Sequence, residues 1–206
     1  MMLLYDHPVS SNALKVRVLL AELELAYERR EVPIERPRPD WYLALNPLGG
    51  IPALHDGAVV VSESNTILRY LATREGRGDL YPADPAGRAR VDEFLDRWSL
   101  TFRPAFFAVE AAALGFVPGR GFVAANADLE LAREREAGIA ETIGLLDSLV
   151  GSESVLGTFT IADCAVAPVL FRTLRTGMDL TGYANLAALR TVLVARPAFA
   201  RAGAVT

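Results

Sequence analysis

The chain has 206 residues, 51% of them hydrophobic, and a formal net charge of −4. That length suits one large domain or two small ones with a substantial core, and the acidic balance argues against a nucleic-acid partner. A single cysteine, Cys164, excludes an intramolecular disulfide and a cysteine-based zinc site, and two histidines, His7 and His55, are too few for a typical metal cluster, so no metal is expected.

The opening "MMLLYDHPVSS" has an apolar start but no basic n-region, so it does not read as a signal peptide. No apolar run is long enough to span a bilayer. The expectation is a cytoplasmic protein with no membrane partner.

In chain order, "MLLYD" reads as a buried strand. Residues 13–25 then place Leu14, Val16, Leu19, Leu20 and Leu23 near helical spacing. "YERREVPI" (27–34) reads as a second strand, which completes a β-α-β unit and favours parallel pairing. "RPRPDWYLALNPLGG" (36–50) is Pro-rich at its start and Gly-rich at its end, with one irregular helix between. "IPALHDGAVVVSES" reads as a hairpin turning at Asp56-Gly57. The next helix carries Ile67, Leu68 and Leu71 on one face. The order β-α-β-α-β-β-α predicts a mixed four-stranded sheet with helices on both faces, the thioredoxin-like arrangement.

A stretch rich in Gly, Pro and charge, "REGRGDLYPADPAGRAR" (74–90), reads as a linker. The expected division is a thioredoxin-like domain over 1–77, a linker over 78–87 and an all-α domain over 88–206. Val91, Phe94, Leu95, Trp98 and Phe102 form one helical stripe; Ile139, Ile143, Leu146 and Val150 form another. "TIAD", Thr160 to Asp163, has capping-box spacing ahead of an apolar helix. Pro168 inside that helix predicts a bend or a tight helix–helix contact.

Three segments carry candidate chemistry. Ser10, Ser11 and Asn12 lie between the first strand and the first helix. There a serine serves as an N-cap, or its hydroxyl donates to an anion such as a thiolate. Ser62, Glu63 and Ser64 stand between a strand and a helix. They read as a helix cap, or as a grip on an α-amino-acid head group, with Ser64 on the carboxylate and Glu63 on the ammonium. Pro52 follows Ile51 directly, and cis is cheap only at X-Pro bonds. A cis Ile51-Pro52 leaves the Ile51 backbone free to pair with an extended peptide, as an added strand would. All three segments sit where ligands bind in such sheets, beside strand ends and helix starts. Glutathione has the thiol, the peptide backbone and the amino-acid end that the three together would hold.

With these residues in place, the sequence resembles the cytosolic glutathione S-transferases over nearly its whole length. The resemblance rests on "SSNALKVRVLL", "LNPLGGIPAL", the run from Asp56 to Leu71 ("DG-x5-ES-x-x-I-L-x-Y-L"), "TIADCAVAP" and "RPAFARA". It implies a cis-proline at Pro52, glutathione held by Ile51, Pro52, Asn12, Glu63 and Ser64, and a homodimer. Ser10 falls where serine-type classes such as phi and zeta carry the residue that donates to the glutathione sulfur. Ser11 and Tyr5 are the alternatives.

Arg38 matches a basic position that contacts the glycyl carboxylate, although Arg36 stands near enough to serve instead. One departure is Gly50, where relatives often carry Gln or Lys. The resemblance further implies an acceptor site for a small hydrophobic electrophile between the two halves. His7, Pro8 and Val9 would make one wall, and Phe102, Phe106 and Phe107 the other. The same thiolate would also serve isomerisation, dehalogenation or peroxide reduction, and a non-catalytic glutathione-binding or protein-interaction module would keep the same fold. Cys164, in an apolar helix, reads as a small buried hydrophobe.

Overall fold

The computed structural model describes residues 1–203. Its sheet has strand order β2-β1-β3-β4, built from β1 (Met2–Asp6), β2 (Glu28–Glu31), β3 (Ala53–Asp56) and β4 (Val59–Ser62). β1 is apolar and buried because it lies inside the sheet. It pairs parallel with β2, Leu3 opposite Glu28, and antiparallel with β3, Tyr5 opposite Ala53. β3 and β4 form the expected hairpin, with Gly57 at φ +62° in its turn.

β2, "ERRE", is an exposed edge, and its charges oppose edge-to-edge pairing. It is shorter than the 27–34 reading because the ladder stops one residue before Pro33, which has no N–H to give. Val32 makes the last bond, to the Asp6 carbonyl at 2.8 Å.

Helix α1 (Ser11–Glu22) starts two residues earlier than its apolar spacing suggests, because Ser10 caps it. It is buried over most of its surface, since it lies between the sheet and the helical half. Helix α2 is only Asp40–Leu43; Pro37 and Pro39 remove donors just before it. Helix α3 (Ser64–Arg74) buries Ile67, Leu68 and Leu71, as expected. One small cluster of Tyr5, Val32, Tyr42 and Ala53 fills the α2 side of the sheet. The other side joins a large core that runs on into the helices beyond.

Those helices are α4 (Pro85–Arg97), α5 (Arg103–Ala113), α6 (Leu129–Gly138), α7 (Ala140–Leu149), α8 (Ile161–Thr176), α9 (Ala184–Ala195) and α10 (Pro197–Arg201). A π-helical turn, Trp98–Phe102, joins α4 to α5, and the stripe from Val91 to Phe102 is buried along its length. Ile139 departs from its stripe: it is the half-buried junction of α6 and α7.

The second half is not purely helical. Phe116–Val117 (β5) and Gly121–Phe122 (β6) form a small hairpin with Gly119 and Gly121 at positive φ. Two-residue strands give too short a period to read from the sequence. Helix α8 is the buried axis of this half and continues through Pro168. No helix among the described residues is long and apolar enough to cross a membrane, and none of their His, Cys, Asp and Glu side chains group as a metal site.

Candidate active site

The site is assembled where β1 hands over to α1. Ser10 is the N-cap of α1 in extended geometry, and its Oγ accepts from the Ala13 amide at 3.2 Å. That bond uses a lone pair and leaves the hydroxyl proton available, so capping and donation to a thiolate are compatible. Ser11 is buried and its Oγ accepts from Arg103 Nη2 at 3.2 Å. Tyr5 is buried with its ring against Trp41 and Tyr42, at 5.9 and 6.0 Å between centroids. Ser10 and Ser11 both line a cavity and both hydroxyls only accept, but Ser11 is buried under Arg103, whereas Ser10 also borders the small cavity beside Pro8 and Arg175.

Glu63 precedes α3 at φ +64°, a conformation that non-glycine residues rarely adopt. It makes no side-chain cap, so the simple capping account does not hold for it. The strained turn leaves the first amides of α3 without side-chain acceptors and turns them, with their dipole, toward a polar basin. Asn12, Lys15, Glu63, Ser64, Arg69 and Arg103 are among the walls of that basin, a cavity of about 330 Å³.

Lys15 is the chain's one lysine and is fully buried; its Nζ donates to Asn65 Oδ1 at 2.6 Å. Burial, then the nearby cations Arg103 and Arg69, pull its pKa down to about 7 against the attraction of Glu63.

A second cavity, about 140 Å³, lies on the other side of Asn12 and Arg103. Ser10, Asn12, Arg103, Phe107 and Phe122 contribute to its wall. It shares Val9, Phe122 and Arg172 with a larger apolar pocket of about 300 Å³ reaching Ala113, Leu114 and Arg175. Asn12 and Arg103 therefore stand between a polar basin and an apolar cleft, with Ser10 at the seam. Pro168 borders this seam too, lining a small cavity with Pro8, Val9 and Ser10.

The Ile51-Pro52 peptide is cis. Ladder pairing starts at Ala53, and among the described residues neither the amide nor the carbonyl of Ile51 has a partner. Ile51 and Pro52 are not walls of the cavities above. Just before them, the Gly50 carbonyl accepts from Asn46 Nδ2 at 2.8 Å and from the Tyr42 hydroxyl. A Cβ at Gly50 would meet nothing nearer than Asn46 Nδ2 at 3.8 Å, so the position has room for the side chain it lacks.

Several expectations are corrected. Arg38 is buried and its guanidinium is spent on three backbone carbonyls, Gly49 at 3.0 Å, Pro33 at 2.5 Å and Glu35 at 3.1 Å. It braces the loop before Pro52 and is not free for a ligand carboxylate. Phe102 and Phe106 are core, 2% and 1% exposed, and Phe106 packs against Trp98 at 6.0 Å between ring centroids. Phe107 faces the cleft in their place and packs edge-on against Phe116.

His7 lies outside the cavity walls; its Nδ1 accepts from the Val9 amide at 3.3 Å. Its role is to shape the loop that presents Val9 and Ser10. Cys164 is buried, and burial raises its thiol pKa well above the usual range.

The sequence reading missed Lys15, Arg103 and Arg172 as site residues. Arg103 and Arg172 both donate to Glu110 Oε2, at 3.0 and 2.9 Å, and Arg172 Nη2 also donates to the Val9 carbonyl at 2.6 Å. Lys15 did carry a signal, a lone lysine in the middle of an apolar helix. Arg103 and Arg172 carried none, among many surface arginines.

A sheet of order β2-β1-β3-β4 with a cis-proline before β3, set against a helical half, defines the class of glutathione transferase folds. A family model described as "Glutathione S-transferase, N-terminal domain" matches residues 9–74. The chain is 30% identical to glutathione S-transferase GstB of Escherichia coli K12, over 96% of this chain and 95% of that one. It is 34% identical to glutathione S-transferase 3 of Zea mays, over 95% and 90%, and 28% identical to a stringent starvation protein A homologue of Coxiella burnetii, over 87% and 79%. Among solved structures, glutathione S-transferase III in apo form superposes with a TM-score of 0.77 at 28% identity, over 98% of this chain and 94% of that one. The chain belongs to the glutathione S-transferase family.

Proposed function

We propose that this protein is a cytoplasmic glutathione transferase that joins the glutathione sulfur to small, largely apolar electrophiles. The observation that carries the reading is the position of Ser10 at the seam between the polar basin and the apolar cleft, with its hydroxyl proton uncommitted. In this reading Ser64 and the first amides of α3 hold the γ-glutamyl carboxylate, Glu63 holds its ammonium, and the Ile51 backbone pairs with the peptide. The sulfur lies beside Ser10, which donates to the thiolate and lowers the thiol pKa; Asn12 lines the path between. Attack is the thiolate's own chemistry, and the serine forms no covalent bond. Residues 1–77 would form the glutathione-binding domain and 88–206 the helical domain, joined through 78–87. The working unit would be a homodimer, which size-exclusion chromatography with light scattering tests directly.

Ser10→Ala should cut kcat/KM for 1-chloro-2,4-dinitrobenzene by about 10²-fold, the usual order for one lost donor to a developing or bound anion. Retention on immobilised glutathione should persist. Full turnover in this variant overturns the role of Ser10. A second reading, a glutathione-binding or interaction module without turnover, is favoured by the likeness to the starvation protein homologue. Retention on glutathione with no activity in the parent protein toward haloarenes, isothiocyanates or hydroperoxides would establish it.

A further inference from the structure

On a chain of net charge −4, the apolar cleft beside Ser10 is walled by Arg103, Arg172 and Arg175, and no carboxylate is among the wall residues of its three connected cavities. The nearest compensation is Glu110, which lies behind the wall and is shared by two of the three arginines. Arg172 is committed to Glu110 and the Val9 carbonyl. Arg175 makes no hydrogen bond or ion pair among the described residues, yet it lines both the largest part of the cleft and the small cavity next to Ser10. The rest of the lining is apolar: Val9, Ala113, Leu114, Phe122, Ala124 and Ala127. Arg175 is exposed at the mouth of the cleft, so a wholly apolar acceptor would use that lining and leave the guanidinium to water.

We propose that the acceptor is an organic anion, an apolar electrophile with a carboxylate or similar group remote from its reactive carbon, and that Arg175 selects it. This rests on the transferase reading of the same cleft. The anion lies against Arg175, the ring or chain against Phe122 and the alanines, and the reactive carbon points to the seam at Ser10. With a chloronitrobenzoate, the sulfur–carbon bond forms and chloride leaves with the electron pair of its bond. The thiol proton passes to solvent when the thiolate is generated. Because Arg172 already shares its charge with Glu110, the discriminating charge is that of Arg175. Charge complementarity of this kind sets specificity among acceptors of equal reactivity.

The test is a matched pair, 4-chloro-3-nitrobenzoate and its neutral amide, titrated calorimetrically into the full-length protein filled with unreactive S-methylglutathione. The benzoate should bind more tightly, and Arg175→Gln should reduce the benzoate-to-amide ratio about tenfold, as loss of one hydrogen bond to a charged group implies. Arg175→Lys should retain part of the preference. Equal binding of the two probes, failure of both to bind, or a ratio unchanged in R175Q would each overturn the proposal. So would an equal loss for both probes, since Arg175 would then act only through the end of α8. Chloride release with glutathione is read separately. A benzoate preference without chloride release would sink the transferase reading and leave the anion site standing.

Discussion

Lys15 shows how one residue couples the candidate site to stability. The usual lysine value is 10.5, and burial beside two arginines brings it to about 7 in the folded chain. Between these values the unfolded chain holds a proton that the folded chain has lost, so stability rises with pH across this window, by about 1.4 kcal/mol per unit at most, and is flat below it. Lys15→Met has no such titration. The variant's stability margin over the parent should therefore be greatest and flat below about pH 6 and shrink steadily from pH 7 toward pH 9, as read from urea midpoints at each pH. A margin that stays constant would mean Lys15 keeps its ordinary pKa. At this scale the sequence was legible where a residue's role is local. Ser10, Glu63 and Ser64 stand at helix starts that hydrophobic spacing predicts. Arg38 was misread because its partners are carbonyls of a Pro- and Gly-rich loop, whose path no periodicity reveals.

Among the elements, α8 depends most visibly on its first turn. Thr160 caps it, and Asp163 answers by accepting from the Thr160 amide at 2.8 Å. The other Asp163 oxygen accepts from the Val155 amide at 2.7 Å, which ties the preceding loop to the helix. Burial raises this carboxyl to about 6, against the pull of those amides. Asp163→Ala strands two buried donors, each costing about 1–3 kcal/mol, so destabilisation of about 3 kcal/mol is expected in guanidinium melts. A loss below about 1 kcal/mol would show that the loop re-pairs without it. The box was visible as "TIAD" because capping is a four-residue rule. The hairpin over 116–122 and the π-turn over 98–102 were not. Both are settled by what packs on them.

At the scale of the molecule, the two halves are fastened across α1 and the β1–α1 loop. Arg196 makes a bidentate pair with Glu22, at 2.6 and 2.9 Å. Closer to the site, Glu110 receives both Arg103 and Arg172, which in turn hold the Ser11 hydroxyl and the Val9 carbonyl. The Glu110 side chain is 4% exposed and those of Arg103 and Arg172 are 16% and 11%. Glu110→Gln keeps the shape but leaves two cations facing each other in a poorly solvated interface. Removing one partner of such a buried network costs about 3–5 kcal/mol. The same substitution should loosen the flanks of Ser10, so amide exchange at Val9–Ser11 should quicken and kcat should fall even at saturating glutathione. Arg201→Gln is the matched control: it loses an exposed bond to the Ala21 carbonyl and should change stability by no more than about 0.5 kcal/mol. If E110Q melts with the parent and leaves exchange at Val9–Ser11 unchanged, the Arg196–Glu22 pair and the packing of α1 on α8 hold the halves in register without Glu110, and the arginines around Ser10 serve the ligand rather than the fold.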